Sequence, residues 1–333
     1  MPTLREISRL TGLSISTMSR VLNGSINVSE KTRTKVLKAL KKYNYTQSDT
    51  IKKGLKKAIG VLVPDLQGDH YSLIAEGIES ILIKNNYEML LTTMNQIISR
   101  EAQAFKEMST RRVDGIILCT SSDDDNLIKR YIDKILPIVT VDRGKSDIKI
   151  DTVGIDNYNS AKEAAKYLYK KGHRKILFIE GPEEIYSCIL RKKAFEDFFI
   201  RKNNVEIHFK KSNFGIQNGY NSVKNFIKEN GINFTAIFFI DDWTALGGLK
   251  VLKELNIKCP KEVSIMGFDD SEFSPYLDPA LTTVKQPTKE IGIQAAQLLL
   301  ERVEGKSTSK VKRKIFLPTE IIERDSVIDI SKK

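Results

Sequence analysis

The chain has 333 residues, enough for two or three domains with a large buried core, and its 41% hydrophobic content excludes a disordered protein. The net charge of +12 is unevenly spread: residues 1–60 hold 13 Lys/Arg against three acids (Glu6, Glu30 and Asp49), and the rest is nearly balanced. A basic head on a near-neutral body points to a polyanion-binding module joined to something else, and no run of 18 uncharged apolar residues exists to span a membrane.

The opening MPTLREISRL carries charges where a secretion signal needs apolar residues, so a cytoplasmic protein is expected. Cys119, Cys188 and Cys259 are odd in number and widely spaced. That pattern suggests neither a disulfide framework nor a zinc site, and small core residues are expected. No metal and no cofactor is expected.

Residues 3–43 read as three short helices. Thr3 and Glu6 have capping-box spacing, and Ile7, Leu10 and Leu13 predict an apolar stripe. Gly12 suits a turn, and Ser14 can cap a second helix with Met18, Val21 and Leu22 inward. Asn23-Gly24 ends it; Ser29 can cap a third helix carrying Val36, Leu37 and Leu40. Two helices joined by a tight Gly turn form a helix-turn-helix, whose second helix enters the major groove. Ile15, Ser16 and Thr17 would then face base edges, with Arg20 one turn on. Arg can bond guanine bidentately, and Ile can touch a thymine methyl. Ser14, Ser19 and Asn23 are short donors suited to phosphate. A plainer reading makes Ile15 a core residue and the hydroxyls mere caps.

Leu13–Asn23, Val28–Arg33 and Tyr43-Asn44-Tyr45 resemble, in register, the DNA-binding domain of the lac repressor/galactose repressor (LacI/GalR) family. The resemblance implies that Ile15 and Ser16 choose the operator, with Thr17, Arg20 and Asn23 making further contacts.

The segment 46–57 is expected to be a hinge or linker. It lacks the Arg-Pro-Asn and Ala-Arg that the family usually shows. Leu55 is the nearest candidate for the apolar wedge that members insert into the minor groove, with Ile51 second. A basic tether on phosphates is the alternative, since Lys52, Lys53, Lys56 and Lys57 lie here.

From residue 58 apolar runs alternate with amphipathic stretches. Strands are predicted at 58–64, 87–93, 115–120, 137–142, 175–181, 235–240 and 263–268. Helices are predicted at 71–85, 99–111, 158–171, 189–202, 216–229, 243–256 and 288–304. This alternation predicts an α/β body of parallel sheets covered on both faces. Polar groups stand just past five strands: Asp65, Thr120-Ser121, Asp142-Arg143, Asp241-Asp242 and Asp269-Asp270. Ligands of open α/β sheets bind at such carboxyl ends, although Asp there is also a common cap. No phosphate-binding glycine loop and no Ser/His/Asp arrangement is evident, so an enzyme is not expected.

The body also resembles the family, through Ile59–Asp65, Val113–Ile117, Gly172–Ile176, Asp242–Gly247, Gly267–Asp269, Leu281–Val284 and Leu317–Glu320. The implied fold is a three-helix helix-turn-helix domain plus a periplasmic-binding-protein-like core of two Rossmann-like parallel-sheet subdomains. The implied boundaries are 1–45 for the head, 58–157 with 288–316 for the N-subdomain, and 158–287 with 317–330 for the C-subdomain. Carried over by position, the effector-contacting residues are Asp142, Arg191, Asp241 and Asp269, with Phe214 as an aromatic wall; Tyr71, in a loop that departs from the family pattern, is a further candidate for the cleft. Members often read Asn-Pro-Phe-Phe where this chain has Gly68-Asp69-His70-Tyr71, so His70 is expected to be a wall residue or a titrating one.

Carboxylates and an Arg beside aromatic faces suit a neutral sugar or sugar derivative, with a sugar phosphate or a nucleobase as alternatives. The expected protein is a ligand-controlled repressor, working as a homodimer on near-palindromic double-stranded DNA. The alternatives are a cytosolic sugar receptor and a DNA-binding protein whose core only dimerises.

Overall fold

The computed structural model describes residues 4–22, 28–43, 57–94, 98–111, 113–119, 136–142, 149–200, 202–306 and 311–331. In the head, α1 (Leu4–Thr11), α2 (Ile15–Leu22) and α3 (Glu30–Lys42) enclose a small core of Ile7, Met18, Val21, Val36 and Leu40. Ser14 caps α2, accepting the Thr17 N–H at 3.0 Å, and Ser29 caps α3 through the Thr32 N–H at 3.3 Å. Leu10 departs from the expected stripe: it is 62% exposed, because α1 buries Ile7 and three helices this short enclose only one inward face.

The body contains two parallel sheets. The six-stranded sheet runs β11-β5-β4-β3-β1-β2, built from β1 (Lys57–Val63), β2 (Tyr87–Thr93), β3 (Gly115–Cys119), β4 (Ile138–Val141), β5 (Asp151–Ile155) and β11 (Lys314–Leu317). The four-stranded sheet runs β7-β6-β8-β9, built from β6 (Lys175–Ile179), β7 (Glu206–Lys210), β8 (Ala236–Phe239) and β9 (Ser264–Met266). A short antiparallel pair joins β10 (Thr283–Lys285) to β12 (Glu320–Ile322). The chain passes between the sheets after β5, after β10 and after β11.

Helices cover both faces, which explains the strands' near-continuous apolar character. In the larger sheet, Ile117, Cys119, Val139 and Val141 pack with α4 (His70–Lys84) and α10 (Thr288–Val303), through Ile74, Ile78, Ile291 and Ala295. The alternate residues Leu62, Ile116, Leu118 and Ile138 meet Phe105 and Met108 of α5 (Ile98–Thr110). The smaller sheet repeats the scheme. Ile176, Phe178 and Phe238 face α6 (Asn157–Lys170) and α7 (Tyr186–Phe199), with Phe178 and Phe195 edge-to-face at 4.9 Å. Leu177, Ile179, Ile237 and Phe239 face Val223 and Phe226 of α8 (Ile216–Asn230) and Val251 and Leu252 of α9 (Asp242–Glu254).

Five strands lie beyond the sequence prediction: β5, β7, β10, β11 and β12. β5 begins with Asp151, which reads as a loop residue. Here its fully buried carboxylate takes bonds from Arg302 Nε (2.9 Å) and Nη2 (3.0 Å), Lys312 Nζ (3.2 Å) and the Arg313 N–H (2.8 Å).

Candidate effector cleft and DNA-facing helix

On α2, Ser14, Ile15, Ser16 and Arg20 are exposed, and Thr17 and Ser19 are half-buried. Ile15 is 44% exposed, so it is not a core residue; Met18 and Val21 fill that place. Ser14 is committed locally: besides capping Thr17, its Oγ lies 3.0 Å from Ser16 Oγ and 2.7 Å from Thr17 Oγ1. Asn23 and Leu55 lie outside the described residues, as do Thr120, Ser121 and Arg143.

The carboxyl ends of β1, β4, β8 and β9 surround a cavity of about 850 Å³. Tyr71, Asp142, Arg191, Phe214, Asp241 and Asp269 all line it, although they come from six separate stretches of chain. Asp142 leaves β4 with φ +56°, and its Oδ2 lies 3.0 Å from His70 Nε2. Its Oδ1 and His70 Nδ1 are buried with no hydrogen-bond partner among the described residues. The sequence makes room for this carboxylate at Gly154 of β5, where a Cβ would lie 3.0 Å from Oδ1. Burial disfavours the imidazolium of His70. The bond to Asp142 and the charges of Asp142 and Asp269 outweigh it and hold the group above its ordinary value.

Arg191 projects from α7, only 7% exposed. Its Nε donates to Asn157 Oδ1 at 2.9 Å and its Nη1 to the Ile240 carbonyl at 2.7 Å, while the guanidinium stacks 3.6 Å over Phe268. These bonds use two of the five guanidinium N–H donors and fix its plane. Asp241 caps α9, accepting the Thr244 N–H at 2.6 Å. Burial and the nearby charge of Asp269 push its carboxyl up to about 6. Burial likewise raises Asp269, which takes a bond from Gln286 Nε2 at 2.6 Å.

Two acids from the strand-end clusters do not reach the cavity wall. Asp242 is fully buried and accepts bonds from the Ser271 N–H (2.9 Å), Ser274 Oγ (2.7 Å) and Thr283 Oγ1 (2.6 Å). Asp270 pairs with Arg324 Nη2 at 2.6 Å. Both tie the β9 exit to neighbouring chain. The sequence reading missed Asn157, Gln286 and Glu184 on the wall. Asn157 and Gln286 sit on two of the crossings between sheets, the one signal that could have flagged them.

The wall is rich in acid: Asp65, Asp69, Asp142, Glu184, Asp241 and Asp269 stand against Arg191 and His70. Phe214 and Trp243 add aromatic faces. Fixed acceptors, a clamped Arg and aromatic surface around one cleft are suited to a hydroxyl-rich neutral molecule and disfavour a multiply charged anion.

Residues 3–48 match the model of bacterial regulatory proteins of the lacI family, and residues 165–327 that of a periplasmic binding protein-like domain. The HTH-type transcriptional repressor PurR of Vibrio atlanticus (strain LGP32) is 30% identical, over 98% of this chain and 99% of its own length. A LacI family transcriptional regulator from Enterococcus faecalis V583, solved with bound ribose, is similar with TM-score 0.74 and 30% identity, over 82% of this chain and all of that one. The transcriptional regulator CelR in complex with cellobiose is similar with TM-score 0.73 and 25% identity, over 98% of this chain and all of that one.

Proposed function

The chain belongs to the LacI family of bacterial regulatory proteins and is a DNA-binding transcriptional regulator; we propose that it is a homodimeric repressor controlled by a small neutral carbohydrate bound between its two core subdomains. The observation that carries the effector reading is the convergence of Tyr71, Asp142, Arg191, Phe214, Asp241 and Asp269 on one cavity. The acid excess there favours a sugar over a sugar phosphate. The ribose and cellobiose carried by the two similar structures support the same class.

On the DNA side, α2 presents Ile15, Ser16 and Arg20 outward from a closed small core, as a helix that reads a major groove must. Thr17 adds a further base-edge contact, Ser14, Ser19 and Asn23 serve as phosphate-positioning groups, and Leu55 is the minor-groove wedge. Two heads in a two-fold dimer read a near-palindromic site. The ligand acts through unequal affinity for the DNA-competent and DNA-incompetent arrangements of the core, and the protein performs no chemical step.

Isothermal titration of a panel of neutral sugars, sugar phosphates and nucleobases tests the effector class. A neutral sugar should bind wild type, and Asp142→Ala should weaken it at least tenfold. Heat from a nucleobase or a sugar phosphate alone would overturn the assignment.

A further inference from the structure

Asp69 stands at the N-cap of α4, where an Asp ordinarily accepts an N–H of its own helix, yet its side chain makes no such bond. The carboxylate reaches across the cleft instead. Oδ1 accepts from Trp243 Nε1 at 3.2 Å and from Ser271 Oγ at 2.9 Å, and Oδ2 accepts from the Glu272 N–H at 2.8 Å. Asp69 belongs to the half of the core built on the six-stranded sheet. All three donors belong to the other half, on α9 and on the segment after β9. Burial alone would raise this carboxyl, but the three bonds hold it below its ordinary value, so the clasp is charged at neutral pH.

Trp243 is clamped on two further sides. Its ring meets Phe273 edge-on at 5.0 Å. Below it lies Gly68, with φ +79°, where a Cβ would come within 2.9 Å of the indole nitrogen. The backbone at 68 and the missing side chain are both needed for the indole to sit there. Trp243 also lines the effector cavity.

We propose that Asp69 is a positioning residue for effector binding: a carboxylate clasp that holds the Trp243 indole as a wall of the cleft and keeps the two halves of the core closed on each other. Opening the cleft separates Asp69 from all three donors together, so the clasp favours the closed arrangement over the open one. A ligand enclosed by both halves then binds more tightly, because less of its binding free energy is needed for closure. The proposal concerns residues that stand where family sequences often read Asn-Pro, a pair that provides no carboxylate at that place. It rests on the effector reading above only for its affinity consequence.

Trp243 is the sole tryptophan of the chain, so its fluorescence reports the clasp directly. Full-length wild type, Asp69→Asn, Asp69→Ala and Gly68→Ala would be compared by emission spectrum, acrylamide quenching and small-angle scattering, with circular dichroism to verify folding. Asp69→Ala and Gly68→Ala should shift emission to longer wavelength, at least double the quenching constant and enlarge the radius of gyration. Asp69→Asn should fall between them and wild type. The dissociation constant for D-ribose or cellobiose, whichever binds wild type, should rise about tenfold in Asp69→Ala. Folded Asp69→Ala and Gly68→Ala with wild-type emission and quenching would overturn the clasp. Displaced fluorescence with no sugar binding to wild type would uphold the clasp and sink the carbohydrate reading instead.

Discussion

At the residue scale, the acids of the core fall into two groups that position at a strand exit alone does not separate. Asp241 and Asp242 are neighbours after one strand, yet one lines the cleft and the other is sealed behind three donors. Position after the strand marks both alike, and the family resemblance singles out Asp241; the direction of successive side chains at the start of α9 is the physical reason. The same limit applies to His70. Its place beside the cleft could be read from the strand-exit loop, but its bond to Asp142, 72 residues on, could not. His173 illustrates a purely structural histidine. It is fully buried between Thr235 Oγ1 (2.9 Å) and the Ile328 carbonyl (3.2 Å), and burial depresses it to about 4. Its unfolded counterpart takes a proton near 6.5, so the unfolded state gains protons first as pH falls. The stability it contributes is therefore full above that value and is lost progressively towards pH 4, by on the order of 3 kcal/mol in all. Thermal melts of wild type and His173→Gln between pH 7 and 5 should converge as the pH drops; parallel curves would remove the histidine from the explanation. On α2, Arg20→Ala should weaken specific operator binding by about 1–3 kcal/mol while leaving nonspecific binding nearly unchanged. Competition assays with specific and random duplexes measure this. An equal loss on both would make Arg20 a phosphate contact.

At the element scale, the helices and the central strands were legible because each repeats an apolar period locally. Helix ends predicted from that period fall within a few residues of those observed, as in 288–304 against Thr288–Val303. The strands that escaped are short edges or polar starts. β7, Glu206–Lys210, has no fully buried residue, and β11 pairs, among the described residues, only with β5, far away in sequence. Their existence depends on a neighbour rather than on their own composition, which is why β structure is harder to read from a segment alone. Helix packing shows the same dependence. Gly77 of α4 touches α10 so closely that a Cβ would lie 2.1 Å from the Lys289 carbonyl oxygen. Gly77→Ala must push the two helices apart and should destabilise the protein by about 1–3 kcal/mol. Urea denaturation followed by circular dichroism checks it, and an unchanged midpoint would mean that the helices separate freely.

At the scale of the whole molecule, the charge asymmetry noted at the outset acquires a division of labour. The basic excess lies in and just after a three-helix head, and the near-neutral core encloses an acidic cleft. These two surfaces suit different partners, a polyanion and a neutral polar molecule. A regulator needs both, and it needs the occupancy of one to alter the affinity of the other. The Asp69 clasp supplies one contact through which closure of the cleft is felt by both halves of the core. The most direct test of the account is operator binding by the full-length protein, on a duplex selected from a random pool, titrated with and without a saturating neutral sugar. The selected site should be near-palindromic, and its dissociation constant should change at least fivefold when the sugar is added. Selection of no sequence, or the same affinity with every sugar that binds, would contradict it.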